Sequence, residues 1–179
     1  MSQNRHWILL SLMLGGALLD QGSKWLAKTY LDTVHSLPVI PHVFQLSLSF
    51  NTGAAFSLFK NQPQLLAGFT TLLFLILLGY GLRKQYPFKG ELTAMGLILG
   101  GALGNLMDRL LQGRVTDFFD VVAIRYPVFN VADSLIFIGV FWLVGLYLRQ
   151  PTTTQTQPTT LLAHQQPAQP DHDRQSISR

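Results

Sequence analysis

Cysteine is absent from the 179 residues. That excludes a disulfide framework, a thiolate metal site and a cysteine nucleophile. It also excludes a lipid carried on a cysteine of the chain itself. Charge is scarce too. Asp, Glu, Lys and Arg make up 12% of the chain, against about a quarter in a soluble domain. Hydrophobic residues reach 48%, so the shortfall points to lipid as solvent rather than to a large aqueous core. A histidine-rich ligand set is missing as well: His35 and His42 sit in a loop beside prolines. No metal and no other cofactor is expected. The formal net charge is +4 and the pI is near 9.6. The basic residues are scattered, without a Lys/Arg stripe, which argues against a nucleic-acid partner.

What is present is a series of apolar runs. A membrane-spanning helix needs about 20 mostly apolar residues, and four stretches qualify: about 6–28, 63–82, 91–111 and 131–148. The first also has the length of a signal-peptide core after Arg5 and His6. No small-x-small cleavage site follows it, so an uncleaved helix is expected. Arg5 precedes span one, Arg83, Lys84 and Lys89 lie between spans two and three, and Arg149 closes span four. By the positive-inside rule these regions, with both termini, face the cytoplasm. Lys60, Arg114 and Arg125 in the outer loops make the bias moderate. In the first outer loop Phe44, Leu46, Leu48 and Phe50 alternate with polar residues, the period of a strand with one apolar face. Pro38 and Pro41 bound its start, and Asn51-Thr52-Gly53 supplies a turn at its end. A small sheet resting on the membrane surface would use that face. In span three Gly96, Gly100 and Gly104 recur every four residues, the pattern of closely packed helices in lipid. Residues 151–179 are rich in Pro, Gln and Thr and are expected to form a disordered cytoplasmic tail.

Polar residues inside the spans need a reason, since a charge at the bilayer centre costs at least about 2.5–3.5 kcal/mol on insertion scales. Counted at 1.5 Å per residue, Asp20, Lys24, Asn105, Asp108, Arg109, Asn130 and Asp133 all fall near the outer interface, with Asp117 just beyond span three. Two readings stay open for most of them. Asp20 and Lys24, four residues apart, are either a self-neutralising pair or a support for an active-site or lipid group. Arg109 either snorkels or lines a site. Asn105 needs partners wherever it is buried. Asn130 reads as the N-cap of span four, and Asp133 at its third position gains from the helix dipole. Asp117 and Asp133 are more specific together than apart. Two carboxylates brought close by the short outer loop would share one proton. The ionised one can then take a proton from water while the other polarises a carbonyl.

Five motifs carry a resemblance: D-Q-G-S-K at 20–24, N-T-G-A-A-F-S at 51–57, G-G-A-L-G-N-L-M-D-R at 100–109, V-T-D-F at 115–118 and F-N-V-A-D-S at 129–134. In this order the chain resembles the lipoprotein signal peptidases (signal peptidase II). The resemblance implies an all-α membrane bundle of four transmembrane helices with a small extracytoplasmic β-cradle, in a bacterial inner membrane. It implies an aspartic endopeptidase acting on prolipoproteins whose cysteine already carries diacylglyceryl. Carried over by motif, Asp117 and Asp133 are the catalytic dyad. Asn105, Arg109 and Asn130 line the site, Asp20, Lys24 and Asp108 support it, and Asn51 and Gly53 lie near the substrate. Partners are lipidated precursors and membrane lipids, and a monomer is expected. Rival readings are a Ser/Lys peptidase, for which Ser23 and Lys24 face apart, and an ion transporter, for which the polar groups form a layer rather than a column.

Overall fold

Residues 3–53, 62–86 and 89–149 are described in a computed structural model of the chain. Residues 54–57 of the second motif, Lys60 and the tail at 151–179 lie outside them. The elements run α1 (Gln3–Leu31), β1 (Ser36–Ile40), β2 (Phe44–Asn51), α2 (Pro63–Arg83), α3 (Lys89–Gln112), β3 (Val115–Asp120), a 3-10 turn (Val122–Ile124) and α4 (Val131–Leu148). The four apolar stretches read from the sequence lie within the four helices. Three of these, α2, α3 and α4, are long and apolar enough to cross a membrane. The remaining helix, α1, has 29 residues, about 44 Å at the usual rise, and it carries Asp20 and Lys24 in its second half. This is the architecture of a multi-pass membrane protein.

The central helix is α3, with α1 and α4 packed closely on it and α2 lying more loosely alongside. The glycines explain the close approach. A Cβ at Gly96 would meet Leu12 Cβ at 2.6 Å, and one at Gly100 would meet the Met13 carbonyl oxygen at 3.0 Å. On the α4 side, a Cβ at Gly101 would collide with the Ala132 carbonyl oxygen, and one at Gly139 would meet that of Ala94 at 2.7 Å. The expected small-residue face is therefore a real contact, and α3 carries a second one. Leu9, Met13, Phe74, Leu92, Met95 and Leu99 fill the interior between α1, α2 and α3. Outward-facing α2 residues such as Leu72, Leu75 and Ile76 remain more than half exposed, as lipid-facing side chains should.

Two polar contacts fix which ends lie together. Arg5 donates to Gln85 Oε1 at 2.9 Å, and Lys84 donates to the Tyr147 hydroxyl at 2.7 Å. The start of α1, the α2–α3 connection and the end of α4 thus share one end of the bundle. At the other end Lys28 of α1 donates to Gln112 of α3 at 2.8 Å.

The sheet sits at that second end and is antiparallel in the order β1-β2-β3. The strand expected from the alternation at 44–50 is β2, the middle strand of three. One expectation is corrected. Asp117, placed in a loop from the sequence, lies on β3, with Ser49 opposite Asp117 and Asn51 opposite Val115. Pro38 stands in β1, which is tolerable because β1 is an edge strand and one missing N–H there breaks no second ladder. The sheet's apolar side chains do not simply rest on lipid. Leu46, Leu48, Phe118 and Phe119 pack against Ala27 and Leu31 at the end of α1 and Val131 at the start of α4. The C-terminal end of α1 is thereby covered, and β3 is pressed against the polar layer.

Candidate active site

Local structure positions each group. Gly113, at φ 69°, ends α3 by donating its N–H to the Arg109 carbonyl at 3.0 Å. A glycine accepts this left-handed conformation without strain. The chain then turns straight into β3, where the Thr116 N–H donates to Asp108 Oδ2 at 2.9 Å. Asp108 is fully buried, so it ties the strand to the helix below. After the strand, Phe129 exchanges backbone hydrogen bonds with Phe119, returning the chain beside β3. Asn130 then caps α4 with a capping box: its Oδ1 accepts the Asp133 N–H at 2.9 Å, and Asp133 Oδ2 accepts the Asn130 N–H at 3.3 Å. A cap of this form is typically worth about 1 kcal/mol.

Capping uses only part of Asn130 and Asp133. Asn130 Nδ2 donates to Asp117 Oδ1 at 2.6 Å and lies 3.1 Å from Asn105 Oδ1. Asn105 Nδ2 donates to Asp133 Oδ1 at 2.8 Å. Two buried amides therefore hold the two carboxylates from α3 and from the start of α4. Asn130 is the expected N-cap, and the same side chain also contacts Asp117 and Asn105. Asn51, at the end of β2, lies near enough to Asp117 to favour its charged form. Its own oxygen accepts the Gly53 N–H at 3.0 Å.

Below this pair lies a charged layer. Lys24 is 1% exposed and its ammonium lies 2.8 Å from Asp20 Oδ2 and 3.2 Å from Asp108 Oδ2. Its third partner is Asn105 Oδ1 at 2.9 Å. All three ammonium donors are thus spent, the last on the amide that holds Asp133. Asp20 Oδ1 accepts the Ala132 N–H at 2.9 Å, at the N-terminus of α4, where a helix dipole favours a negative charge. Room for the Asp20 carboxylate exists only because residue 104 is glycine; a Cβ there would overlap it. Asp20 and Lys24 are thus an ion pair that also contacts α4 and Asn105.

Arg109 is half-buried, donates to the Asn105 carbonyl at 3.4 Å and has a buried Nε without a partner. It forms no ion pair among the described residues, but its charge acts on both Asp133 and Asp117. Two residues that sequence reasoning passed over belong to the network. Gln21 Nε2 lies 3.0 Å from both the Gly104 carbonyl and Asp108 Oδ1. Thr116 contributes its backbone N–H to Asp108 and its carbonyl to Asn130 Nδ2. Both stand inside quoted motifs, and that was the available signal.

Asp117 is buried on β3 at 2% exposure. Burial, first, and the neighbouring Asp133 carboxylate, second, push its carboxyl up to about 7, against the pull of Asn51, Asn130 and Lys24. Near neutral pH it therefore holds a proton much of the time. No cluster of three or more His, Cys, Asp or Glu suited to a metal ion occurs among the described residues. Next to Arg109, an open groove of about 710 Å³ runs between α2 and α3, lined by Ala67, Gly68, Thr71, Leu72, Leu75 and Leu110 among others.

The chain is similar to known proteins in sequence and in fold. Residues 12–149 match the family Peptidase_A8, described as Signal peptidase (SPase) II. The chain is 38% identical over 141 residues to a lipoprotein signal peptidase of Nostoc sp., covering 78% of this chain and 89% of that one. It is 41% identical over 137 residues to a lipoprotein signal peptidase of Dehalococcoides mccartyi, covering 74% and 84%. A bacterial membrane enzyme solved by the in meso method at 2.3 Å resolution has a similar fold, with a TM-score of 0.70 at 26% identity over 83% of this chain and 92% of that one. With this family match over residues 12–149 and relatives about 40% identical over most of its length, the chain belongs to the signal peptidase II family of aspartic peptidases.

Proposed function

We propose that the protein removes signal peptides from diacylglyceryl-modified prolipoproteins. It cleaves the bond before the lipidated cysteine with a water molecule activated between Asp117 and Asp133. The observation that carries this reading is the paired grip of Asn130 on Asp117 and Asn105 on Asp133, two carboxyl groups near enough for one to act on the other. Asp117 holds the proton and hydrogen-bonds the scissile carbonyl oxygen. Asp133, an acceptor of two N–H bonds, is the base: it takes a proton as water adds to the carbonyl carbon. As the tetrahedral species collapses, that proton passes to the leaving nitrogen. Arg109 and Lys24 place positive charge where negative charge develops, the role such groups play in other hydrolases.

The membrane supplies the rest of the recognition. The clustered basic residues at the far end of the bundle support a cytoplasmic location for both termini. The dyad and the sheet then lie at the outer face of the inner membrane, where a diacylglyceryl cysteine also sits. The groove beside Arg109 offers an apolar surface for the membrane-embedded part of the substrate. Purified protein in lipid, given a diacylated precursor and its non-acylated form side by side, is expected to cleave only the first at an appreciable rate. Equal cleavage of both would remove lipid recognition from the account.

The pH dependence follows from the dyad. Activity needs the Asp117 proton, so the rate should fall as pH rises through about 7, about tenfold per further unit when one proton is lost. The apparent value for Asp117 includes the push of the neighbouring Asp133 carboxylate. Initial rates from pH 5 to 9 test this, and a flat profile across that range would contradict a shared proton.

A further inference from the structure

The bundle end away from the dyad holds a second polar cluster that peptide cleavage does not use. A cavity of about 170 Å³ lies between the first turns of α1 and the end of α2, with Arg5, His6, Arg83 and Lys84 in its wall. The space is several times the volume of one water molecule. His6 Nε2 lies 2.9 Å from the Leu82 carbonyl. A carbonyl only accepts, so Nε2 carries the hydrogen there and pins α1 to α2. Arg5 reaches across to Gln85 and closes one side.

The charges in this wall are unevenly matched. Lys84 is held by the Tyr147 hydroxyl, by Glu91 Oε2 at 3.4 Å and by the rings of Tyr80, Tyr86 and Tyr147, 5.3–5.7 Å away. Tyr147 and Glu91 keep it firmly charged, and Glu91, itself buried, offsets that charge. No carboxylate pairs with Arg5 or Arg83 among the described residues. Arg5 and Arg83 thus line a small polar space whose wall holds no carboxylate, and Arg5 spends one donor on Gln85. Their planar forks match the oxygens of a phosphate. The pocket also stands at an aromatic level: Trp7 is 68% and Tyr147 48% exposed, and such residues mark the membrane–water interface.

We propose that this pocket binds a phosphate group, and that its occupant is the headgroup of an anionic membrane lipid. The site is separate from the dyad and does not depend on the peptidase reading. Basic pockets between transmembrane helices commonly take such headgroups.

The test uses the full chain in neutral detergent, titrated separately with phosphatidylglycerol, phosphatidylcholine and inorganic phosphate, with bound molecules read by native mass spectrometry. Phosphatidylglycerol is expected to bind saturably and phosphatidylcholine much more weakly. Arg5→Gln/Arg83→Gln should weaken phosphatidylglycerol by at least about tenfold. Arg83→Gln alone, at an exposed position, should weaken it by a smaller factor. Lys28→Gln, at the opposite end, should leave it unchanged. Precursor cleavage by each variant reports that the fold is intact. Wild-type binding by the double variant, or equal binding of the two lipids, would overturn the site. Saturation by inorganic phosphate at the same concentration as the lipid would overturn the lipid as occupant.

Discussion

Asp117→Asn is expected to lower prolipoprotein cleavage by at least about a thousandfold while the protein still inserts and folds, and Asp133→Asn should do the same. An amide is nearly isosteric with a carboxyl, so packing survives. Asn at 117 can still hydrogen-bond Asn130 but has no acidic proton. Asn at 133 can still accept the Asn130 N–H and complete the cap, but it cannot take a proton from water. A positioned acid or base contributes about 10²–10⁴ in rate, and each variant also breaks the sharing of one proton by two groups. The measurement is single-turnover cleavage of a diacylated precursor, with unfolding followed in parallel. A variant of either kind that cleaves at even a tenth of the wild-type rate would show that the dyad is not the catalytic centre. Alanine at Ser23 or Ser134 should leave cleavage within a few fold, which separates this mechanism from a serine–lysine one.

Lys24→Met is expected to be the most damaging single change to stability. It keeps the length and apolar body of the side chain and deletes only the ammonium. Asp20 and Asp108, both at 0% exposure, would then be buried without their shared cation. Removing one partner of a buried pair typically costs about 3–5 kcal/mol. The damage should reach the site too, because Lys24 also holds Asn105 and Asn105 holds Asp133. Cleavage should therefore fall even under conditions where the variant stays folded. Asp20→Asn combined with Lys24→Met should recover part of the lost stability, since it removes one of the stranded charges. Thermal unfolding in detergent reads the first effect and cleavage at low temperature the second. A Lys24→Met protein that melts like the wild type, within about 0.5 kcal/mol, would mean that the ammonium is not needed to neutralise this layer.

These two expectations rest on different kinds of legibility. The helices were readable because lipid leaves a backbone few options: long apolar runs must satisfy their own hydrogen bonds. Strand β2 was readable because Phe44, Leu46, Leu48 and Phe50 alternate. Its neighbours were not. Pro38 disguised β1. In β3 the run Val115-Thr116-Asp117-Phe118-Phe119-Asp120 has no period, because both of its faces are covered: one by α1 and α4, the other by the polar layer. Its pairing with β2 spans more than 60 residues of chain, and no local pattern records such a partner. The Asn130 cap was visible from its neighbour three residues on, whereas its grip on Asp117 was not.

The sequence by itself determined the solvent, the number of long helices and the set of polar residues that had to find one another. It also ruled out thiol chemistry and, through five short motifs, pointed to the family. Which polar atom meets which was decided only in three dimensions. The bond from Asp20 to the Ala132 N–H joins residues 112 apart, and the Lys24–Asn105 contact joins residues 81 apart. Periodicity encodes what a segment does along its own axis. Contacts at such separations depend on how near and at what height the helices pass, and that is set by Gly96, Gly100 and Gly104 on one side of α3 and by Gly101 on the other.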